Sequence, residues 1–123
     1  MICAGFGFRQ SATLDSLLNA YAKTGAKADS IATAADKAES AAFQAVAVEL
    51  GLTVTSVTPD ELETQATLSQ SQASQAARNT GSVAEAAALA AIGPSAKLLS
   101  ARVISDDRLA TCAIASAAVK ETT

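Results

Sequence analysis

The 123-residue chain has no histidine, no tryptophan, two cysteines and two prolines. Without imidazole there is no Ser-His or Cys-His nucleophilic pair, and any acid–base work falls to carboxylates, lysine, tyrosine or water. Cys3 and Cys112 have no C-x-x-C neighbour and lie in apolar sequence, which reads as two buried, reduced thiols. With no histidine and no clustered cysteine, no metal site is expected, and no cofactor. Aromatic residues make up 3% of the chain, so a core must be built from Ala, Val, Leu and Ile, and alanine alone fills about a quarter of the positions. The nine basic residues are scattered, and the formal net charge is −3. No basic stripe is present, so nucleic acid is not an expected partner. No apolar run approaches the roughly 18 residues of a membrane span. The start, Met1-Ile2-Cys3-Ala4-Gly5, lacks the basic opening of a signal peptide. The expectation is a cytoplasmic protein without a membrane partner, folded as one domain over residues 1–123.

The most informative stretch runs from Asn79 to Gly93. A glycine turn, Thr80-Gly81-Ser82, feeds a nearly all-alanine helix over Val83 to Ile92, and Gly93-Pro94 stops it. Ser82 and Glu85 have the S-x-x-E spacing of a capping box. Side chains this small let a helix lie very close to what it covers. Its N-terminus offers backbone N–H groups and positive dipole charge to an anion.

Elsewhere the pattern alternates strand and helix. Ile2 to Phe6 is an apolar run read as a strand, ending in the glycine turn Gly5-Phe6-Gly7. Ser11 is the expected cap of a helix from Ala12 to about Thr24, with Leu14, Leu17, Leu18 and Tyr21 on one face and Gly25 closing it. Ser30 to Ala34 is a strand. Asp36 and Glu39 then form a capping box for a helix from Lys37 to Leu50. Leu52 to Val57 is β-branched and alternating, hence a third strand. Thr58-Pro59-Asp60-Glu61 starts a short helix. Ser69 to Arg78 is a Ser/Gln-rich stretch that reads as a solvated loop, with the length for a lid from which Arg78 could reach a ligand carboxylate. Lys97 to Ile104 and Leu109 to Val119 form a closing antiparallel hairpin around the turn Ser105-Asp106-Asp107-Arg108. The fold class expected is α/β: a three-layer sandwich with a mixed, mostly parallel sheet of about five strands ending in an antiparallel hairpin. In such sheets ligands bind at the carboxyl ends of the strands.

An ordered series of segments carries a family likeness: Ala4-Gly5-Phe6-Gly7-Phe8-Arg9, Ala35-Asp36-Lys37-Ala38-Glu39, Thr80-Gly81-Ser82-Val83-Ala84-Glu85-Ala86-Ala87-Ala88-Leu89, and Thr111-Cys112-Ala113-Ile114-Ala115. The chain resembles the CobE / CbiG C-terminal domain family of cobalamin biosynthesis, and most of all its stand-alone CobE-type members. The resemblance spans nearly the whole chain. It implies a small α/β domain acting on corrin-ring intermediates, either binding and carrying a corrinoid or, as in CbiG-type proteins, opening a ring lactone. A third reading is a purely structural scaffold that delivers intermediates between pathway enzymes, with those enzymes as its partners.

Corrin intermediates carry many acetate and propionate carboxylates, so a binder needs an apolar floor with a few anion donors. Gly5 and Gly7 would let the backbone approach such a ligand, and Arg9 would grip a carboxylate in bidentate fashion. The third glycine of a dinucleotide fingerprint is missing. Lys37 is expected just inside a helix N-terminus, where the dipole disfavours a cation unless a ligand uses it. Thr80, Gly81 and Ser82 supply N–H and hydroxyl donors. Glu85 is the candidate general base if a lactone is opened. Ser82 has no visible base to make it a nucleophile.

Overall fold

The computed structural model describes residues 2–65, 82–93, 95–99 and 101–117. Strand β1 (Ile2–Phe8) is followed by helix α1 (Leu14–Thr24), β2 (Ser30–Ala34), α2 (Ala41–Leu50), β3 (Thr53–Val57) and α3 (Pro59–Glu63). Helix α4 (Val83–Ile92) then leads into β4 (Ala96–Leu98), β5 (Val103–Ile104) and β6 (Ala110–Ala117). These strands form one six-stranded sheet in the order β3-β2-β1-β6-β4, with β5 also paired to β6. The β1–β2 and β2–β3 pairs are parallel, and β6 runs antiparallel to β1, β4 and β5. Helices α1 and α2 cover one face, and α3 and α4 cover the other, which gives the expected three layers.

The two faces are chemically unlike. Alternation along β1 sends Ala4, Phe6 and Phe8 toward α1 and α2, where they join the cluster of Leu17, Phe43 and Ile114. All four aromatic residues of the chain meet there. Phe6 sits edge-on to Phe43 with ring centroids 5.8 Å apart, Phe8 stacks on Phe43 at 5.9 Å, and Tyr21 lies 6.5 Å from Phe6. The other face presents Cys3, Gly5 and Gly7 to the alanines of α4. Ala84, Ala86, Ala87 and Ala88 are all buried, so one face is built on ring packing and the other on close backbone approach.

Several boundaries differ from the sequence reading, each for a local reason. β1 continues through Gly5 and Gly7 to Phe8, because both glycines pair with β6 (Gly5 with Ala113, Gly7 with Thr111) and do not form the turn themselves. α1 is capped by Thr13, not Ser11. Thr13 Oγ1 accepts from the Ser16 N–H at 3.2 Å and Ser16 Oγ accepts from the Thr13 N–H at 3.1 Å. Ser16 also donates to Asp107 at 2.6 Å, which ties the start of α1 to the turn before β6. The Asp36–Glu39 box does not start α2. Residues 35–39 form consecutive tight turns over the end of β2, and Ser40 caps the helix by accepting from the Phe43 N–H. The Lys97–Ile104 strand is split into β4 and β5, so the sheet has six strands where about five were expected. The Ser/Gln-rich stretch from Ser69 to Arg78 lies outside the described residues.

Cys3 and Cys112 are fully buried and free, as the composition implied. Burial pushes both thiols above the ordinary thiol range, Cys112 furthest. The native state therefore keeps its thiol protons at pH values where the unfolded chain loses them. Stability is unaffected below the unfolded thiol pKa of about 8.5 and falls as pH rises beyond it. The expected loss is about 1 kcal/mol from Cys112 between pH ~8.5 and ~9.5, with Cys3 acting in the same direction. Urea unfolding across that range checks this, and the Cys3→Ala/Cys112→Ala variant should be nearly flat over the same interval.

Candidate functional site

The parallel strands β1, β2 and β3 end at the same rim of the sheet, and the chain places its candidate groups there unequally. Arg9 follows β1 directly and is exposed, with its N–H donating to Leu109 O at 2.9 Å. Lys37 belongs to the tight turn after β2, not to a helix. Its Nζ donates to Phe8 O at 2.9 Å and lies 4.9 Å from the centre of the Phe8 ring. The lysine stem thus crosses from the end of β2 to the end of β1, and its ammonium is held beside Arg9 by one hydrogen bond and a cation–π contact. The sequence argument for Lys37, an unfavourable cation at a helix start, is replaced by this anchoring. Asp36 and Glu39 are exposed on the same turn, so the rim carries charges of both signs.

Helix α4 starts at this rim on the other face. A Cβ added to Gly7 would lie 3.3 Å from the Val83 Cβ and 3.4 Å from Ala84 N, which puts the first turn of α4 against the end of β1. Ser82 is fully buried and caps the helix, its Oγ accepting from the Glu85 N–H at 3.3 Å. Thr80 and Gly81 lie outside the described residues. Gly5 is two residues further into the sheet and buried beneath α4. The absence of its side chain admits the helix. The structure therefore brings Gly7, Arg9, Lys37 and Ser82 to one end of the sheet and leaves Gly5 in the packed layer below.

Glu85 has a use that the sequence did not reveal. It is fully buried, and its Oε2 accepts from the backbone N–H of Arg102 at 2.8 Å. It holds the link between β4 and β5 against the first turn of α4. The spacing of 17 residues between the two carries no local sequence signal. Two threonine hydroxyls make bonds that no local pattern signals: Thr33 Oγ1 donates to Phe6 O at 2.8 Å and Thr111 Oγ1 to Gly7 O at 3.1 Å. Both stiffen the end of β1 from which Arg9 emerges.

A surface groove of about 330 Å³ lies elsewhere, lined by Glu61, Gln65, Leu89, Ala90, Gly93 and Ala96. It sits at the far end of α4, a helix about 15 Å long. Its charged lining residue is a glutamate, so it does not suit an acidic ligand. Among the described residues there is no group of three or more His, Cys, Asp or Glu placed to hold a metal ion. No helix among them is long and apolar enough to cross a membrane.

Fold and site together define a three-layer α/β protein with Arg9 and Lys37 at a mixed-charge rim of strand ends, beside the N-terminus of a closely packed alanine helix. The chain belongs to the family described as cobalamin synthesis G C-terminus, whose model matches residues 2–115. Its fold is similar to that of CobE, a protein from the cobalamin (vitamin B12) biosynthetic pathway. The TM-score is 0.81 at 27% identity, over 99% of this chain and 93% of that one. It is also similar to the cobalamin biosynthesis protein chiG from Agrobacterium tumefaciens str. C58. That match has a TM-score of 0.74 at 31% identity, over 97% of this chain and 100% of the other. A putative cobalamin biosynthesis protein G homolog from Sulfolobus solfataricus shares the fold at 20% identity and TM-score 0.68, where this chain corresponds to 36% of a longer protein. No curated protein sequence matches significantly. The chain is therefore a protein of the cobalamin biosynthesis pathway.

Proposed function

We propose that this protein binds a corrinoid or related tetrapyrrole intermediate by its acidic periphery, as a carrier or accessory factor that passes the intermediate between enzymes of the pathway. One observation carries the reading. Arg9 and Lys37 stand on neighbouring strand ends, joined through Phe8, at the rim where α4 begins. Two cations held this close suit side-chain carboxylates spaced around a macrocycle, and charge-assisted hydrogen bonds to carboxylates are the strong kind. The Phe8 ring beneath Lys37 supplies an apolar surface next to them.

Lactone opening draws no support from Glu85. A general base must reach the water it activates, and this carboxylate is buried with a backbone N–H as its partner. Titration of the protein with hydrogenobyrinic acid, followed by absorbance, tests the reading. The expected result is saturable spectral change with the ligand recovered at unchanged mass. An unchanged spectrum at concentrations on the order of tens of micromolar, where a useful carrier must bind, would overturn it. Recovery of a product heavier by one water would replace the carrier with a hydrolase.

A further inference from the structure

We propose that Arg108 is a third ligand-gripping cation, completing a row that runs Lys37, Arg9, Arg108 across the ends of three adjacent strands, and that this row selects ligands with several carboxylates along one edge. The inference rests on the carboxylate-binding reading of the rim and adds to it a residue and a selectivity.

The row follows from the sheet order. β2, β1 and β6 are neighbours. Lys37 follows β2, Arg9 follows β1, and Arg108 precedes β6. Phe8 pairs with Ala110, and the Arg9 N–H donates to Leu109 O at 2.9 Å, so Arg9 and Arg108 flank the same backbone junction. Adjacent strands lie about 4.8 Å apart, so the row covers roughly 10 Å. That length suits several carboxylates on one edge of a macrocycle better than a single one.

Two further observations single out Arg108. Its φ is +63°, and among the described residues it is the one non-glycine with positive φ. A left-handed conformation of this kind favours glycine, asparagine or aspartate over arginine. The turn alone does not explain the side chain. The neighbouring carboxylates are also engaged elsewhere. Asp107 accepts from Ser105 Oγ at 2.6 Å, from Ser16 Oγ at 2.6 Å and from the Leu109 N–H at 3.0 Å. Those bonds, the Ser105 hydroxyl first, hold its carboxyl below the usual range. Asp106 is paired with Lys23 at 3.0 Å. Among the described residues neither the Arg9 nor the Arg108 guanidinium hydrogen-bonds or pairs with a carboxylate, and both are exposed. Two exposed arginines thus flank one backbone junction at the rim, and the two acids that precede Arg108 are turned to other partners.

The conformation of Arg108 provides a clean test, because Arg108→Gly and Arg108→Asn both remove the cation and suit the left-handed backbone. Neither variant should melt below the parent protein. The probes are hydrogenobyrinic acid and its fully methylated ester, which keeps the ring and lacks the charge. Both variants should bind the acid at least about tenfold more weakly than the parent, the loss of roughly one charge-assisted hydrogen bond, and should bind the ester as the parent does. Affinity for the acid within about twofold of the parent, in a folded variant, would remove Arg108 from the site and leave the Arg9–Lys37 grip standing. If the parent itself does not bind the acid, the carboxylate reading of the rim falls and the row falls with it.

Discussion

Gly5→Ala should destabilise the protein by about 3 kcal/mol or more, the upper part of the range for overpacked cores. The added Cβ would lie 2.1 Å from Ala84 O, 2.5 Å from Ala88 N and 2.9 Å from the Ala88 Cβ. The first two atoms are helix backbone, so no rotamer change relieves the contact. α4 would have to lift off β1 along its length. α4 packs on five strands and on α3, and it supplies most of the small-residue core of its face. Displacing it would open gaps over Cys3 and Ala32 as well. At roughly 4 °C for each kcal/mol in a chain of this size, the melting temperature should fall by about 12 °C. Ala88→Gly should not rescue the variant, since the shortest contact is with the Ala84 carbonyl. A Gly5→Ala protein that melts with the parent would mean that α4 does not sit this close. Gly7→Ala should be milder, because its nearest contact is the Thr111 hydroxyl at 3.0 Å, which can turn.

The same two glycines show what the sequence made legible and what it did not. The sequence reads Gly5 and Gly7 as places where a ligand approaches the backbone, and at Gly5 the space is taken by α4 instead. That the neighbour of Gly5 is α4 could not be read from local pattern, because the helix lies about eighty residues further on. α4 itself was fully legible: a cap, a run of alanines and a glycine stop give Val83–Ile92 without tertiary help. β2 was equally clear, over Ser30–Ala34. The start of α2 was not. Asp36 and Ser40 are both good caps, and the choice between them is made by the turn that carries Lys37 to Phe8 O and buries Ala38. That is a contact between two strand ends, outside any local window. The pairing of β6 with β1 was also invisible to periodicity, although it places Leu109 beside Arg9. Family likeness pointed to the rim, and sheet order explains why residues from separate motifs converge there.

Removing both Arg9 and Lys37 should weaken binding of hydrogenobyrinic acid by about 3 kcal/mol, on the order of 100-fold. Each cation alone should account for at least roughly 1.5 kcal/mol, the low end for hydrogen bonds to charged groups. The double variant should be written Arg9→Ala/Lys37→Met, because methionine preserves the apolar stem over the Phe8 ring. Lost packing is then separated from lost charge. Lys37 Nζ is bonded to Phe8 O, one residue before Arg9, so the two effects need not add. Two cations held this close repel when no ligand is present, and each single variant relieves that repulsion in the free protein. The double variant loses that relief only once, so the singles should sum to more than the double. The parent's affinity should fall as salt is raised, and the double variant's should fall less steeply. Isothermal titration at two ionic strengths, with melting curves to confirm that the fold is kept, reads all of these quantities. A folded double variant that binds the acid like the parent would show that the pigment is held by some other part of the molecule.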